Sequence, residues 1–456
     1  MVRKRIQIAS VIVQAILGCA PQTPYRSGNA ATEVVVADPH LCYELTEPSS
    51  YRIPIAYLEI DEQGQFQDRG QIEKALAIIS GSADTKYVVV FVHGWFHSAS
   101  QADENVQRFK CALNNLQRIG SNRQEHVIGV YIGWRGESWS LPGVRYATFW
   151  DRKNTSDEVG RGSLVEFLTR LERVVKPTAE SPNKLMLVGH SFGASVVFNS
   201  IGSILMERFL LDAERLASKS SGPAHPETKP GLVSGYGDLV VLINPAIEAT
   251  RIVPFFSVLN EYTRTEATLL SPAQVPRLVV LSSEGDWATR RTFPAAQVFS
   301  TVLESYADKQ MVTPYGATIN LGERYLDRQT MGNVEEIQTH LPLHGSPDWS
   351  ANCPPAEPKW LTSAIEARKA EQRKKSEEET GAGWQQTFGA ASIEVRHRGI
   401  TTPSNPLWIM AVGTELIPDH SSIVNPSLIC FFDELLGDPT STMLEGRDHQ
   451  RERLKK

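Results

Sequence analysis

The chain has 456 residues, 41% of them hydrophobic and 21% charged, with a formal net charge of −6. This is an ordinary globular composition with ample apolar sequence for a large core, and nothing in its charge points to nucleic acid as a partner. Its five cysteines include no C-x-x-C pair and no Cys/His spacing suited to zinc, so no metal or cofactor is expected.

The start reads as an export signal. Arg3-Lys4-Arg5 precede a mostly apolar run from Ile6 to Leu17, broken by Gln7 and Gln14. That run is too short to span a bilayer and fits a secretory signal. It ends Ile16-Leu17-Gly18-Cys19, which resembles a bacterial lipobox. The resemblance implies lipidation at Cys19 (residues 1–19 being signal) and a lipoprotein of the bacterial cell envelope. Without lipidation, the protein is periplasmic or secreted. Cys42, Cys111, Cys353 and Cys430 then remain, in a compartment that permits disulfides without their spacing indicating one.

Residues 20–50 are rich in Pro, Ser, Thr and Ala and read as a tether, with a first strand near Val34–Val36. Tyr51–Ile60 reads as a strand pairing antiparallel with an early neighbour, and Gln71–Ile79 as a short helix. Tyr87–Val92 is apolar without alternation, the pattern of a strand buried on both faces under helices. Val106, Phe109, Leu113 and Leu116 recur at helical spacing. A buried strand at Val127–Ile132 ends Gly133-Trp134-Arg135-Gly136, an aromatic loop follows, and Leu164, Phe167, Leu168, Leu171 and Val174 mark the next helix. Leu185–Val188 leads through Gly189-His190-Ser191-Phe192-Gly193 into a helix running to about Leu216. Later buried strands are Leu239–Ile243, closed by Asn244-Pro245-Ala246, then Leu278–Leu281, and finally Leu407–Val412 before a helix at 426–436. This β-α alternation implies an α/β domain over residues 51–440, with a mostly parallel sheet covered by helices on both faces. Residues 308–404 interrupt it as an insertion that hangs over the carboxyl edge, where it could act as a lid. Within it, 366–379 is a charge-dense solvated run, and 441–456 is a polar tail.

The strand–turn–helix setting makes Gly189–Gly193 a nucleophile elbow with Ser191 at its tip. A serine hydroxyl needs a base to take its proton, and the base needs a carboxylate to orient it. The order nucleophile, acid, histidine is met by Ser191, Asp286 and His420, each just past a buried strand. Glu284 and Glu248 rival Asp286; His340 and His344 rival His420. Oxyanion donors are expected from the backbone N–H groups of Phe192 and Trp95. His93 reads as a brace for the Trp95 loop. His97, Trp134 and Arg135 lie near the same edge and are candidate substrate contacts, although Trp134 can simply pack and Arg135 can simply pair with a local acid such as Glu137.

The motifs FVHGW, GWRG, GHSFG, NPA and the late DH resemble the α/β-hydrolase superfamily, and a bacterial branch of it, over roughly residues 85–300 and 405–437. The resemblance implies a serine hydrolase of carboxylic esters, esterase- or lipase-like, acting on a small-molecule or lipid ester without a metal. An acyltransferase, thioesterase or amidase uses the same triad. A surface lipoprotein that keeps the fold only for binding is the alternative from another class. The long insertion departs from the compact pattern of the superfamily.

Overall fold

The computed structural model describes residues 23–36, 51–81, 85–120, 125–136, 148–178, 181–220, 231–265, 270–345, 364–369, 385–388 and 393–436. The export signal, Cys19, Glu137, most of the charge-dense run and the tail lie outside the described residues. In chain order the strands are β1 (Thr32–Val36), β2 (Arg52–Ile60), β3 (Lys86–Val92), β4 (His126–Trp134), β5 (Lys184–His190), β6 (Leu239–Ile243), β7 (Leu278–Ser283), β8 (Asp308–Val312), β9 (Thr318–Gly322), β10 (His344–Gly345), β11 (Gln385–Phe388), β12 (Ile393–Arg396) and β13 (Leu407–Val412). The helices are α1 (Gly70–Gly81), α2 (Glu104–Gly120), α3 (Phe149–Arg161), α4 (Leu164–Val175), α5 (Phe192–Ser220), α6 (Val253–Thr265), α7 (Phe293–Ser300), α8 (Glu323–Arg328) and α9 (Pro426–Leu436).

Eight strands form one sheet in the order β1-β2-β4-β3-β5-β6-β7-β13. Only β1 runs antiparallel to its neighbour; the other pairings are parallel. The central strands are apolar on both faces because both faces are covered. Val88, Val90 and Val92 of β3 pack into a core shared with α1, α4 and α5. Tyr87, Val89 and Phe91 point the other way, into a core shared with α2 and α9. The α/β class with a mostly parallel, doubly covered sheet is therefore the observed architecture. β4 and β5 lie on opposite sides of β3, so the chain reverses its winding there. Crevices outside the carboxyl ends of strands at such a reversal are where open α/β sheets place ligands.

The structure departs from the sequence reading in three places. Beyond the expected antiparallel pairing of β1 with β2, part of the tether is docked: the Tyr25 and Arg26 N–H groups donate to the Glu59 carboxylate at 2.9 and 2.7 Å. The aromatic loop ends in a helix, α3. Its buried face includes Arg152, Thr155, Ser156 and Gly160, so no apolar period marks it. Gly160 lets α3 reach α5: a Cβ there would stand 2.6 Å from the Val196 carbonyl oxygen. The insertion, finally, is anchored at the β13 edge. Thr339 and Leu343 N–H donate to the Ile409 and Ala411 carbonyls, each at 2.9 Å. Residues 346–363 and 370–384 of it are outside the described residues.

Candidate active site

The site assembles at the carboxyl ends of β3, β5, β6, β7 and β13. Ser191 sits on the turn between β5 and α5 with φ +56°, a left-handed conformation that a serine adopts only under constraint. The constraint is visible. Its N–H donates to the Ile243 carbonyl at 3.0 Å, and its own carbonyl accepts the Ala194 and Ala246 N–H groups at 3.0 and 3.2 Å. The flanking glycines are steric necessities. A Cβ on Gly193 would lie 2.2 Å from the Val92 carbonyl oxygen, and one on Gly189 would lie 2.7 Å from the Ala194 Cα.

The three residues predicted in separate loops meet. His420 Nε2 lies 2.8 Å from the Ser191 hydroxyl oxygen, and His420 Nδ1 lies 2.9 Å from Asp286 Oδ2. Asp286 is fully buried at the end of β7. Its carboxylate also accepts the Thr289 hydroxyl at 2.5 Å and the Ala288 and Thr289 N–H groups at 2.8 and 3.2 Å. Burial pushes the Asp286 carboxyl up, but the His420 and Thr289 hydrogen bonds together outweigh it and hold it below the usual range. The acid is thus an anion facing Nδ1, which leaves Nε2 to accept from the serine. Its side chain a quarter exposed, His420 is the most accessible member of the trio.

Two residues given no role from the sequence hold the His420 backbone. His190 Nε2–H donates to the His420 carbonyl at 2.7 Å. Asn244 Nδ2 donates to the same carbonyl at 3.1 Å and to the Asp419 carbonyl at 3.2 Å. Asn244 itself is buried with φ +46°, and its Oδ1 accepts the Ser283 N–H at 2.8 Å. It therefore ties the ends of β6, β7 and the histidine loop together. An asparagine before proline at a strand end is a turn signal that tolerates this conformation; its long-range partners left no trace in the local sequence. Burial and the neighbouring His420 hold His190 well below the usual imidazole range, so it stays a neutral donor.

Trp95 and Phe192, from which oxyanion donors are expected, sit side by side with their rings 5.8 Å apart. Phe192 opens α5, so its N–H has no acceptor within the helix. The Gly94 backbone abuts Ser191: a Cβ on Gly94 would be 2.9 Å from the serine Cβ. His93 is the brace read from the sequence. Its Nδ1–H donates to the Gly94 carbonyl at 2.9 Å, while Nε2 accepts the Trp134 N–H at 3.0 Å. Burial lowers its pKa to about 4, consistent with a ring that must accept at Nε2.

The three candidate substrate contacts have other occupations. His97 pairs with Asp103 at 3.0 Å. Trp134 is buried, stacks on His93 with ring centroids 5.7 Å apart and donates its indole N–H to the His93 carbonyl at 2.7 Å. Arg135 pairs with Glu62 at 3.3 Å. The rival acids and bases also lie elsewhere. Glu248 pairs with Lys153 at 2.5 Å, Glu284 is exposed, His344 pairs with Glu415 at 3.0 Å on the surface, and His340 is buried against Trp408. Cys111 and Cys430 are each disulfide-bonded, which their spacing did not foretell. Among the described residues, no three His, Cys, Asp or Glu side chains cluster so as to hold a metal ion. No family model, curated protein or solved structure matches the chain.

Proposed function

We propose that this protein is a serine hydrolase of carboxylic esters with an α/β-hydrolase fold. The observation that carries the reading is His420 bridging the Ser191 hydroxyl and the Asp286 carboxylate at hydrogen-bond distance on both sides. Ser191 Oγ attacks the ester carbonyl as His420 Nε2 takes its proton. Asp286 stabilises the imidazolium that forms. The Phe192 and Trp95 N–H groups face the developing oxyanion. Collapse expels the alcohol, which takes the proton from His420. Water, activated by the same histidine, then cleaves the acyl-enzyme to acid and free serine.

An apolar acyl or alkyl group is the favoured substrate feature. Phe149 links the Trp95 and Phe192 rings (centroids 5.8 and 5.4 Å away) to Phe293, and Trp150 beside it meets Phe299 at 6.5 Å. Trp287, which follows Asp286 by one residue, and Val302 and Leu303, just past Phe299 in the chain, are exposed as well, the last 94% exposed. Clustered apolar side chains at a surface mark contact with something apolar. The disulfide-bonded Cys111 and Cys430 suit an exported protein, and we place it in the bacterial cell envelope, anchored by lipid on Cys19. A fluorophosphonate probe tests the central reading. Wild type is expected to label and Ser191→Ala to remain unlabelled; equal labelling of the two, or none of either, would leave the fold as a binding scaffold. Acceptance of the acyl group by an added alcohol or amine in preference to water would assign an acyltransferase.

A further inference from the structure

Behind the histidine loop, on the face covered by α2 and α9, lies an apolar cavity of about 80 Å³. Its floor is the sheet, through Phe91, Val188 and Ile243; its walls include Leu113 of α2 and Leu428 of α9. Val188 precedes His190 by two residues on the same face of β5, so the cavity and the His190 ring share one side of the sheet. Ser191, Trp95 and Phe192 do not line it, which separates it from the expected acyl pocket.

Two polar side chains also line the cavity, Asn105 and Arg108. Asn105 is 2% exposed, and its Nδ2 has no hydrogen-bond partner. An orphaned amide donor in such a place is costly, and a bound acceptor would remove the cost. Arg108 donates to the Ser421 carbonyl, next to the catalytic histidine, and its other terminal nitrogen pairs with Glu104 at 2.5 Å on the solvent side of α2, a largely exposed pair that holds the guanidinium only weakly. No carboxylate lines the space. Hydrocarbon walls, an unused donor and a guanidinium whose carboxylate partner lies outside the cavity on the exposed side of α2 together describe a ligand with a short alkyl chain and an anionic, acceptor-only head. The volume is about half that of an engineered cavity that takes benzene, so the ligand has only a handful of heavy atoms.

We propose that this cavity is a binding site for a short-chain aliphatic carboxylate, with the chain between α2 and α9 and the head on Asn105 and Arg108. The chemical class is that of the acid an ester hydrolase releases, and the site adjoins Ile423 and Val424 of the loop that carries His420. Occupancy is therefore read at the triad as well as by binding. The binding claim stands without the hydrolase reading; only the effect on the triad rests on it.

The test is calorimetric titration of the full-length Ser191→Ala protein with propionate and butyrate, which needs no turnover. Saturable one-to-one binding is expected. Ala112→Leu, which fills the cavity from α2, should weaken it at least tenfold. Asn105→Leu should weaken it similarly while its melting temperature holds or rises, because it removes a buried donor that has no partner. Absence of saturable binding, or affinities unchanged in both variants, would overturn the proposal. In the wild-type background, butyrate should change the rate of fluorophosphonate labelling, and Ala112→Leu should abolish that change. Binding without any labelling would retain the site and sink the hydrolase reading.

Discussion

Among the described residues, two histidine pairs have ring centroids no more than 5.4 Å apart, and only one of them sets an imidazole between a serine and a carboxylate. His190 and His420 have ring centroids 5.0 Å apart at the carboxyl edge of the sheet. His340 and His397 lie 5.4 Å apart beside β13. In the second pair both rings are buried, next to Trp408 and the buried Arg368. Gly399 N–H donates to His397 Nδ1 at 3.2 Å and His397 Nε2–H donates to the Thr401 hydroxyl at 3.0 Å, which fixes a neutral tautomer. Burial and Arg368 lower its pKa to about 3. In the first pair the labour is divided. His190 is the buried neutral ring, and His420 has a carboxylate on one nitrogen, a serine on the other and partial access to solvent. Partners and access of this kind are what a proton-transferring histidine requires, whereas burial alone makes a structural one.

The largest expected effect breaks this contrast directly. His420→Ala should lower ester turnover by about 10⁴- to 10⁶-fold, as loss of a triad base does elsewhere. His340→Ala should leave kcat/KM within about threefold in protein that remains folded, since its ring has no route to Ser191. The reverse pattern, with activity kept in His420→Ala and lost in His340→Ala, would move the base to the second pair.

A smaller effect sharpens the division within the first pair. His190→Phe keeps the ring volume and removes the donor to the His420 carbonyl. Asn244→Gly keeps the left-handed backbone and removes the other donor. Each should lower kcat by about 10- to 100-fold with little change in KM, the cost of a catalytic group displaced by a fraction of an ångström. A uniform loss of active protein with wild-type kcat per labelled serine would reduce both residues to a folding role.

The second pair should show itself in stability. A histidine whose folded pKa lies below its unfolded value of about 6.5 contributes stability above that pH and loses it as pH falls towards the folded pKa. His397 at about 3 and His93 at about 4 define the window, and His190 and His340 are depressed in the same direction. Each adds a slope of about 1.4 kcal/mol per pH unit below pH 6.5. Four together would consume a typical domain stability within roughly two to three units. Urea midpoints should therefore fall steeply from pH 6.5 to 5. His397→Gln, which can still reach Thr401, should remove about a quarter of that slope. An unchanged slope would mean that His397 is protonated in the folded state.

The same contrast explains what could be read in the sequence. Ser191, Asp286 and His420 were legible because each follows a strand that is apolar on both faces, and strand ends are fixed points in a parallel sheet. No such strand precedes His340, which the sequence offered as a rival base. What stayed hidden was held by distant partners or polar burial. Asn244 acts through carbonyls some 175 residues away. Helix α3 buries Arg152, Thr155 and Ser156 where a hydrophobic period would have announced it. The disulfide-bonded state of Cys111 and Cys430 follows from helix positions that spacing does not encode.

Arg135 gives the smallest expected effect and the finest test of where the site ends. From the sequence it was a candidate for gripping an anionic group of the substrate, because it follows the strand next to β3. In the structure its guanidinium pairs with Glu62, and Glu62 is shared with Arg152 at 2.8 Å. Arg152 also donates to the Arg135 carbonyl at 2.7 Å, so the loop keeps its shape without the Arg135 side chain. Loss of one partly exposed member of a shared pair costs about 1 kcal/mol or less. Arg135→Ala should accordingly move the melting temperature by only a few degrees and leave kcat/KM for a neutral ester within about twofold. A tenfold rise in KM confined to esters carrying a carboxylate or phosphate, with kcat unchanged, would show that Arg135 leaves Glu62 when substrate binds. That outcome would extend the site from the triad to the end of β4.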